Sequence, residues 1–268
     1  MVTGALQAER VRLGYGEHVV VDGLSVTVPD GELTVIVGPN ACGKSTLLRG
    51  LSRLMRPLDG TVLLDGKAIH RLPAKQVARE LGLLPQSPTV PDAITVADLV
   101  GRGRYPYQSL LRQWSAEDEA AVRSAMVATG VLDLADQAVD ELSGGQRQRV
   151  WMAMVLAQET RILLLDEPTT FLDIAHQLEV LDLCAGLRDG GRTVVAVLHD
   201  LNLACRYATH LVAMSAGEIV AEGPPAAIVT PALIERLYGI GCRVIDDPET
   251  GTPLVVPRRS GAAAVAVS

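Results

Sequence analysis

Apolar and polar positions alternate from about Leu6 to Val28, which predicts two strands, LQAERVRLGYG and VVVDGLSVTVP, closed by a turn at Pro29-Asp30-Gly31. The next segment, ELTVIV, breaks that alternation. It is apolar throughout and runs into a glycine, the pattern of a strand buried on both faces of a parallel sheet. STLLRGLSRLM carries helical spacing that stops before Pro57, and GTVLLDGKAI reads as a strand, a turn and a short strand. From Ala74 to about Ala157 the pattern is mostly helical, with Pro and Gly interruptions at 85–91 and 101–106. Within it AEDEAAVRSAMVATGV opens with acids after Ser115, as a helix N-terminus does.

RILLLDEP then predicts another buried strand, IAHQLEVLDLCAGLR a helix, and TVVAVLHD a further strand. HLVAMSAGEIVAEG predicts a hairpin around Ala216-Gly217, and CRVIDDPETGTPLVVP a second one. Apolar strands alternating with helices give an α/β fold with a parallel sheet. Residues 1–257 read as one domain with a helical subdomain at about 87–160 inserted in its core, and 258–268 as a low-complexity, disordered tail. No internal repeat is evident.

Charge changes the picture in one direction. A net charge of −7 argues against a nucleic-acid partner, which selects a basic face. No stretch reaches the roughly 18 apolar residues of a membrane span, and the first residues lack the layout of a signal peptide. Cys42, Cys184, Cys205 and Cys242 show no metal-ligand spacing, which predicts a reduced, cytoplasmic protein. Of 24 basic residues only Lys44, Lys67 and Lys75 are lysines, so a lysine inside a glycine loop stands out.

That loop carries the first chemistry. Gly38, Pro39, Asn40, Ala41, Cys42, Gly43, Lys44 and Ser45 satisfy G-x-x-x-x-G-K-[ST] between a predicted strand and a predicted helix, with Thr46 next. Glycines let backbone N–H groups wrap phosphates, and the helix start adds a positive dipole end. Lys44 is expected on the β- and γ-phosphates and the Ser45 hydroxyl on Mg²⁺. Cys42 is read as small filler, the alternative being a reactive thiol at a helix N-terminus. Asp166 closes ILLLD, where such a site needs a carboxylate for Mg²⁺. Glu167 follows it and, on an extended chain, would face the other way, toward an attacking water. In LSGGQRQRV, Ser143 can cap a helix whose first turn holds Gly144, Gly145 and Gln146. This second anion-binding helix start has no lysine of its own. It makes sense if it closes over ATP held by another copy.

In this order, a P-loop, LSGGQ, ILLLDEP and VLHD resemble the ATP-binding subunits of ABC transporters over almost the whole chain. The fold the resemblance implies is a P-loop NTPase (RecA-like) core with an N-terminal antiparallel β subdomain and an inserted helical subdomain. It further implies that Tyr15 stacks on adenine, that Gln86 in LLPQSP touches Mg²⁺ and senses the membrane subunit, and that Asp173 belongs to the nucleotide-contacting D-loop. His199 would be the switch histidine contacting the γ-phosphate. The activity implied is ATP hydrolysis coupled to transport. ATP would lie between the P-loop of one copy and Ser143–Gln146 of a head-to-tail second copy. Separate permease subunits would hold the chain at the cytoplasmic face of the membrane, with a periplasmic or lipoprotein substrate-binding protein acting indirectly.

GPNACGKSTLLR, LADQAVDELSGGQRQRVWMAMVLAQ and AVLHDLNLACRYATHLVAM are similar to the ATPases of ferric-siderophore and vitamin B12 importers. RLYGIGCRVIDDPETGTPLVVP points to the ferric-enterobactin type. Cobalamin or another metal chelate is the alternative cargo. A non-transport ABC ATPase is a further alternative, against which the single domain and acidic balance argue. GRGRYPY has two readings, a membrane-subunit contact or a solvated basic loop.

Overall fold

The computed structural model describes residues 5–86, 93–109 and 114–259. The tail beyond 259, residues 87–92 of the expected helical subdomain and most of the first expected Pro/Gly interruption lie outside the described residues.

Strands β1 (Leu6–Tyr15) and β2 (His18–Val28) form a hairpin, and β3 (Leu33–Val37) leads through the glycine loop into α1 (Lys44–Leu51). Strands β4 (Asp59–Leu64) and β5 (Lys67–Ala68), helix α2 (Ala74–Glu80) and strand β6 (Leu81–Leu84) follow. Helices α3 (Val96–Gly101), α4 (Ala116–Ala128) and α5 (Gly144–Ala157) come next among the described residues. The chain returns through β7 (Ile162–Asp166), α6 (Ile174–Asp189), β8 (Thr193–Val197), α7 (Leu201–Tyr207), β9 (His210–Ser215) and β10 (Glu218–Gly223). Short helices α8 (Pro225–Ile228) and α9 (Pro231–Tyr238) precede the hairpin β11 (Cys242–Asp246) and β12 (Pro253–Pro257).

The central sheet has the order β10-β9-β3-β8-β7-β6, parallel except for β10 on β9. Its strands β3, β7 and β8 are buried at every position, which is why they read as unbroken apolar runs. Period two still governs them. Val35, Leu163, Leu165, Val194 and Ala196 face one core with the helices of the 96–157 block, while Ile36, Leu164, Val195 and Val197 face a second core under the antiparallel sheet β2-β1-β4-β5.

Two expectations need correction. The mostly helical reading from Ala74 misses β6, which pairs in parallel with β7 from Leu81↔Ile162 to Leu84↔Leu165 and forms the sheet edge. Four residues are too few to display a period. Gly82 is there because a Cβ would lie 2.9 Å from Thr160 Oγ1. The helix after the glycine loop ends at Leu51, well short of Pro57, and Arg53 at φ 67° turns the chain away.

GRGRYPY is not a solvated basic loop throughout, because Arg104 is buried. Its Nε donates to Asp118 Oδ1 at 2.8 Å, and its Nη1 donates to the Ala157 carbonyl and Glu159 Oε2, each at 2.8 Å. The guanidinium stacks 4.1 Å from the Tyr107 ring centroid, and the Tyr107 hydroxyl donates to the Gln158 carbonyl. Asp118 is also half of a capping box with Ser115 that starts α4. Arg104 therefore ties the start of α4 to the end of α5. Burial would raise the Asp118 carboxyl, but the hydrogen bonds from Arg104 and Ser115 outweigh it and hold it below the usual carboxylate range.

Arg104→Ala leaves that carboxylate buried without its counter-charge, so we expect a loss of about 3–5 kcal/mol in denaturant unfolding at neutral pH. The folded Asp118 value is depressed. The pair's contribution is therefore complete above the unfolded value of about 4 and is lost as pH falls through the folded one. The difference between wild type and Asp118→Asn is accordingly expected to shrink below about pH 4.

Candidate active site

At the C-terminal edge of β3 the chain turns into a loop that only its glycines permit. Gly38 sits at φ 151° with the Met214 carbonyl 2.1 Å from where a Cβ would be, and Gly43 starts α1 at φ 104°. Helix α1 has no side-chain cap, so the N–H groups of its first turn are left for a ligand. Residues 40–46 line a cavity of about 560 Å³ together with Gln86, Glu167 and His199. Four separate segments thus converge where the strand ends do, the usual place for a ligand in an open parallel sheet.

Lys44 is buried, and its Nζ donates to the carbonyls of Gly38 at 2.9 Å and Pro39 at 2.8 Å, so the ammonium lies over its own loop. Ser45 Oγ donates to Asp166 Oδ1 at 2.9 Å, joining the loop to the end of β7. Burial pushes the Asp166 carboxyl up, Ser45 opposes this, and the neighbouring charge of Glu167 adds to it. A cation between Ser45 and Asp166 would reverse that rise. The donor set consists of hard oxygens, which suits Mg²⁺. Cys42 is buried and burial raises its thiol, which agrees with small filler and not with a reactive thiolate.

Glu167 corrects the reading of an extended chain. Its φ is 55°, a left-handed conformation that a glutamate adopts only at a cost of about 1–3 kcal/mol. That turn, not strand alternation, separates the two carboxylates. Asp166 points to Ser45, while Glu167 Oε1 lies 2.6 Å from His199 Nε2 and its Oε2 accepts from Thr170 Oγ1 at 3.2 Å. Glu167 is almost wholly buried, and His199 is about half exposed, at 47%. A buried carboxylate facing a phosphate loop, oriented by an imidazole, can take a proton from a water placed between them.

The other expected residues stand apart from this cavity. Tyr15 is exposed and its hydroxyl accepts from Arg49 Nη1 at 2.7 Å, beside α1 and outside the cavity lining. His18 and Val20 of β2 do line it. Sequence reasoning missed them, although the hairpin that carries Tyr15 necessarily brings them near. Asp173 caps α6, accepting from the His176 N–H at 2.9 Å and meeting His176 Nδ1 at 2.7 Å. At the start of α5, Ser143 Oγ accepts from the Gln146 N–H and Gln146 Oε1 from the Ser143 N–H. Gly144 and Gly145 pack against Phe171 and Leu172, with 3.6 and 3.3 Å to the nearest atoms from an added Cβ. Ser143–Gln146 and Asp173 thus share one end of the molecule, without reaching the cavity of their own chain.

A larger cavity, about 940 Å³, lies in the helical block beside Asp98, Arg102, Tyr105 and Trp114. Among the described residues no glycine loop or strand end opens into it, and it offers no phosphate loop. Among the described residues no helix is long and apolar enough to cross a membrane.

A parallel sheet, a glycine loop on a helix start and a carboxylate at the end of β7, one strand removed from β3, define a P-loop nucleotide hydrolase. Residues 21–170 match the family model described as "ABC transporter", and the chain belongs to that family. It is 61% identical over 253 residues to the ferric enterobactin transport ATP-binding protein FepC of Escherichia coli (strain K12), covering 94% of this chain and 93% of that protein. It is 56% identical to the probable siderophore transport system ATP-binding protein YusV of Bacillus subtilis (strain 168), over 97% and 95% of the two chains. A dimeric ATP-binding cassette in a post-hydrolysis state with ADP and Pi superimposes with a TM-score of 0.73 at 26% identity, over 82% of this chain and 98% of that one. The protein is an ATP-binding, ATP-hydrolysing subunit of an ABC transporter.

Proposed function

We propose that this ATPase energises import of a ferric siderophore through separate permease subunits, to which it binds at the cytoplasmic face of the membrane. A substrate-binding protein outside the membrane delivers the cargo to those permeases. The cargo reading rests on the siderophore transport named for its relatives, since cargo would pass through the permease and not through this subunit.

The observation that supports the hydrolytic roles is the 2.6 Å contact between Glu167 and His199 beside the phosphate loop. Glu167 orients the attacking water and takes its proton, and His199 holds that carboxylate in place. Lys44 leaves its loop carbonyls for the β- and γ-phosphates, with the loop amides binding the same oxygens. Ser45 and Asp166, with Gln86 at the end of β6, are the residues that would hold Mg²⁺. Bound there, the ion would neutralise charge developing on the phosphoryl oxygens. Tyr15 packs on the adenine. The site is completed by Ser143–Gln146 and Asp173 of a second copy. Phe171 and Ile174 flank Asp173 and are 80% and 78% exposed, apolar surface that such a partner would cover.

The test is uptake of a panel of iron-loaded siderophores by cells lacking this chain and any other importer for them. Uptake of one type is expected to return with the wild type and not with Glu167→Gln. Restoration of none of them, with restored uptake of cobalamin or another chelate, would move the cargo away from iron.

A further inference from the structure

His199 comes from a loop, and a loop alone holds a side chain loosely. One residue later Asp200 caps α7, its Oδ1 accepting from the N–H groups of Asn202 at 2.8 Å and Leu203 at 3.0 Å. The seven residues of α7 are too few to be stable alone, so its position depends on what grips it. Ala204 and Cys205 are buried in the main core. The polar grips on Asn202 and Arg206 come from the C-terminal hairpin.

Asn202 Oδ1 accepts from the Val255 N–H at 2.8 Å, and its Nδ2 donates to the Val255 carbonyl at 3.3 Å. This is the two-point pairing a neighbouring strand would make with β12. Four residues on, and so on the same helix face, Arg206 donates from Nε and Nη2 to Asp247 Oδ2 at 3.1 and 2.7 Å. Asp247 is buried and fixed by its own turn. Its Oδ1 accepts from the Glu249 N–H at 3.0 Å, and its backbone bonds to Thr252 and Gly251. At the end of α7, the Tyr207 hydroxyl meets Asp182 of α6 at 2.7 Å. A hairpin that only covered apolar surface would need Cys242 and Val255 in the core and nothing more. Here two polar clamps fall on the helix that begins directly after the histidine.

We propose that the hairpin Cys242–Pro257 braces the hydrolytic site: by gripping Asn202 and Arg206 it fixes α7 and so holds His199 against Glu167. Asn202 and Arg206 are positioning residues, since neither touches Glu167 or lines the nucleotide cavity. The inference rests on His199 acting with Glu167 in hydrolysis.

The experiment measures ATP turnover, KM and ATP affinity of the full chain carrying Asn202→Ala or Arg206→Ala, each in the wild-type and the His199→Ala background. In the wild-type background each variant is expected to lower kcat on the order of tenfold while KM and ATP affinity stay within about twofold. In the His199→Ala background neither is expected to lower the remaining rate further, because the group they position is already gone. Arg206→Lys, which keeps the charge and part of the hydrogen bonding, should recover some of the loss. A kcat unchanged by both variants, or a loss that persists in full on top of His199→Ala, overturns the brace. If His199→Ala itself turns over like the wild type, the histidine's role fails and the brace with it. Impaired His199→Ala with unimpaired Asn202→Ala and Arg206→Ala refutes the brace alone. Should Arg206→Ala not fold, Asn202→Ala, which leaves the Arg206–Asp247 pair intact, decides the matter in the same two backgrounds.

Discussion

Replacing Glu167 with Gln is expected to lower ATP turnover by on the order of 10²–10⁴ while ATP still binds. The amide keeps the volume and one acceptor oxygen but cannot take a proton from water. The proposed binding groups, namely the loop amides, Lys44 and Ser45, lie on another segment and are not touched by the change. Glu167 also holds an unfavourable left-handed backbone, the kind of strain that clusters at functional sites. Turnover by phosphate release and binding by a fluorescent ATP analogue separate the two effects. Near-normal turnover would remove Glu167 from the chemistry.

Lys44→Ala is expected to fail differently, weakening ATP binding as well as cutting turnover by on the order of 10²–10³. The ammonium is the one lysine in the loop, and it is positioned by the carbonyls of Gly38 and Pro39. Removing it takes away the loop's point charge for the phosphates and leaves those two carbonyls without their donor. Lys44→Arg should not rescue it, because the planar guanidinium is larger and lacks the compact charge that fits a buried position at 5% exposure. The contrast between the variants is the useful outcome. Glu167→Gln retains nucleotide without hydrolysing it, and Lys44→Ala does neither well.

Much of this was legible in the chain. The unbroken apolar runs ELTVIV and RILLLDEP gave β3 and β7, because strands covered on both faces have no polar face to show. The acids after Ser115, and Ser143 ahead of its glycines and Gln146, announced two helix starts, and both form capping boxes, with Asp118 and Gln146. Strand β6 was not legible, since LGLL is short, contains glycine and follows a helix without a break. The orientation of Glu167 was not legible either. Strand alternation predicts the right separation of two adjacent carboxylates for the wrong reason, and the left-handed turn is a tertiary effect. Arg104 looked like surface charge in a basic loop, because its partners Asp118 and Glu159 are 14 and 55 residues away. The grip of Asn202 on Val255 spans 53 residues and has no local sign.

In the proposed dimer, one ATP needs the P-loop of one copy and Ser143–Gln146 of another. Light scattering of Glu167→Gln with and without MgATP is the decisive measurement, because ATP that is not hydrolysed would stay between the two copies. The mass is expected to double on adding ATP, and to stay monomeric when Ser143→Arg is combined with Glu167→Gln although ATP still binds. A Glu167→Gln chain that binds ATP fully as a monomer, or a dimer indifferent to Ser143→Arg, would contradict it.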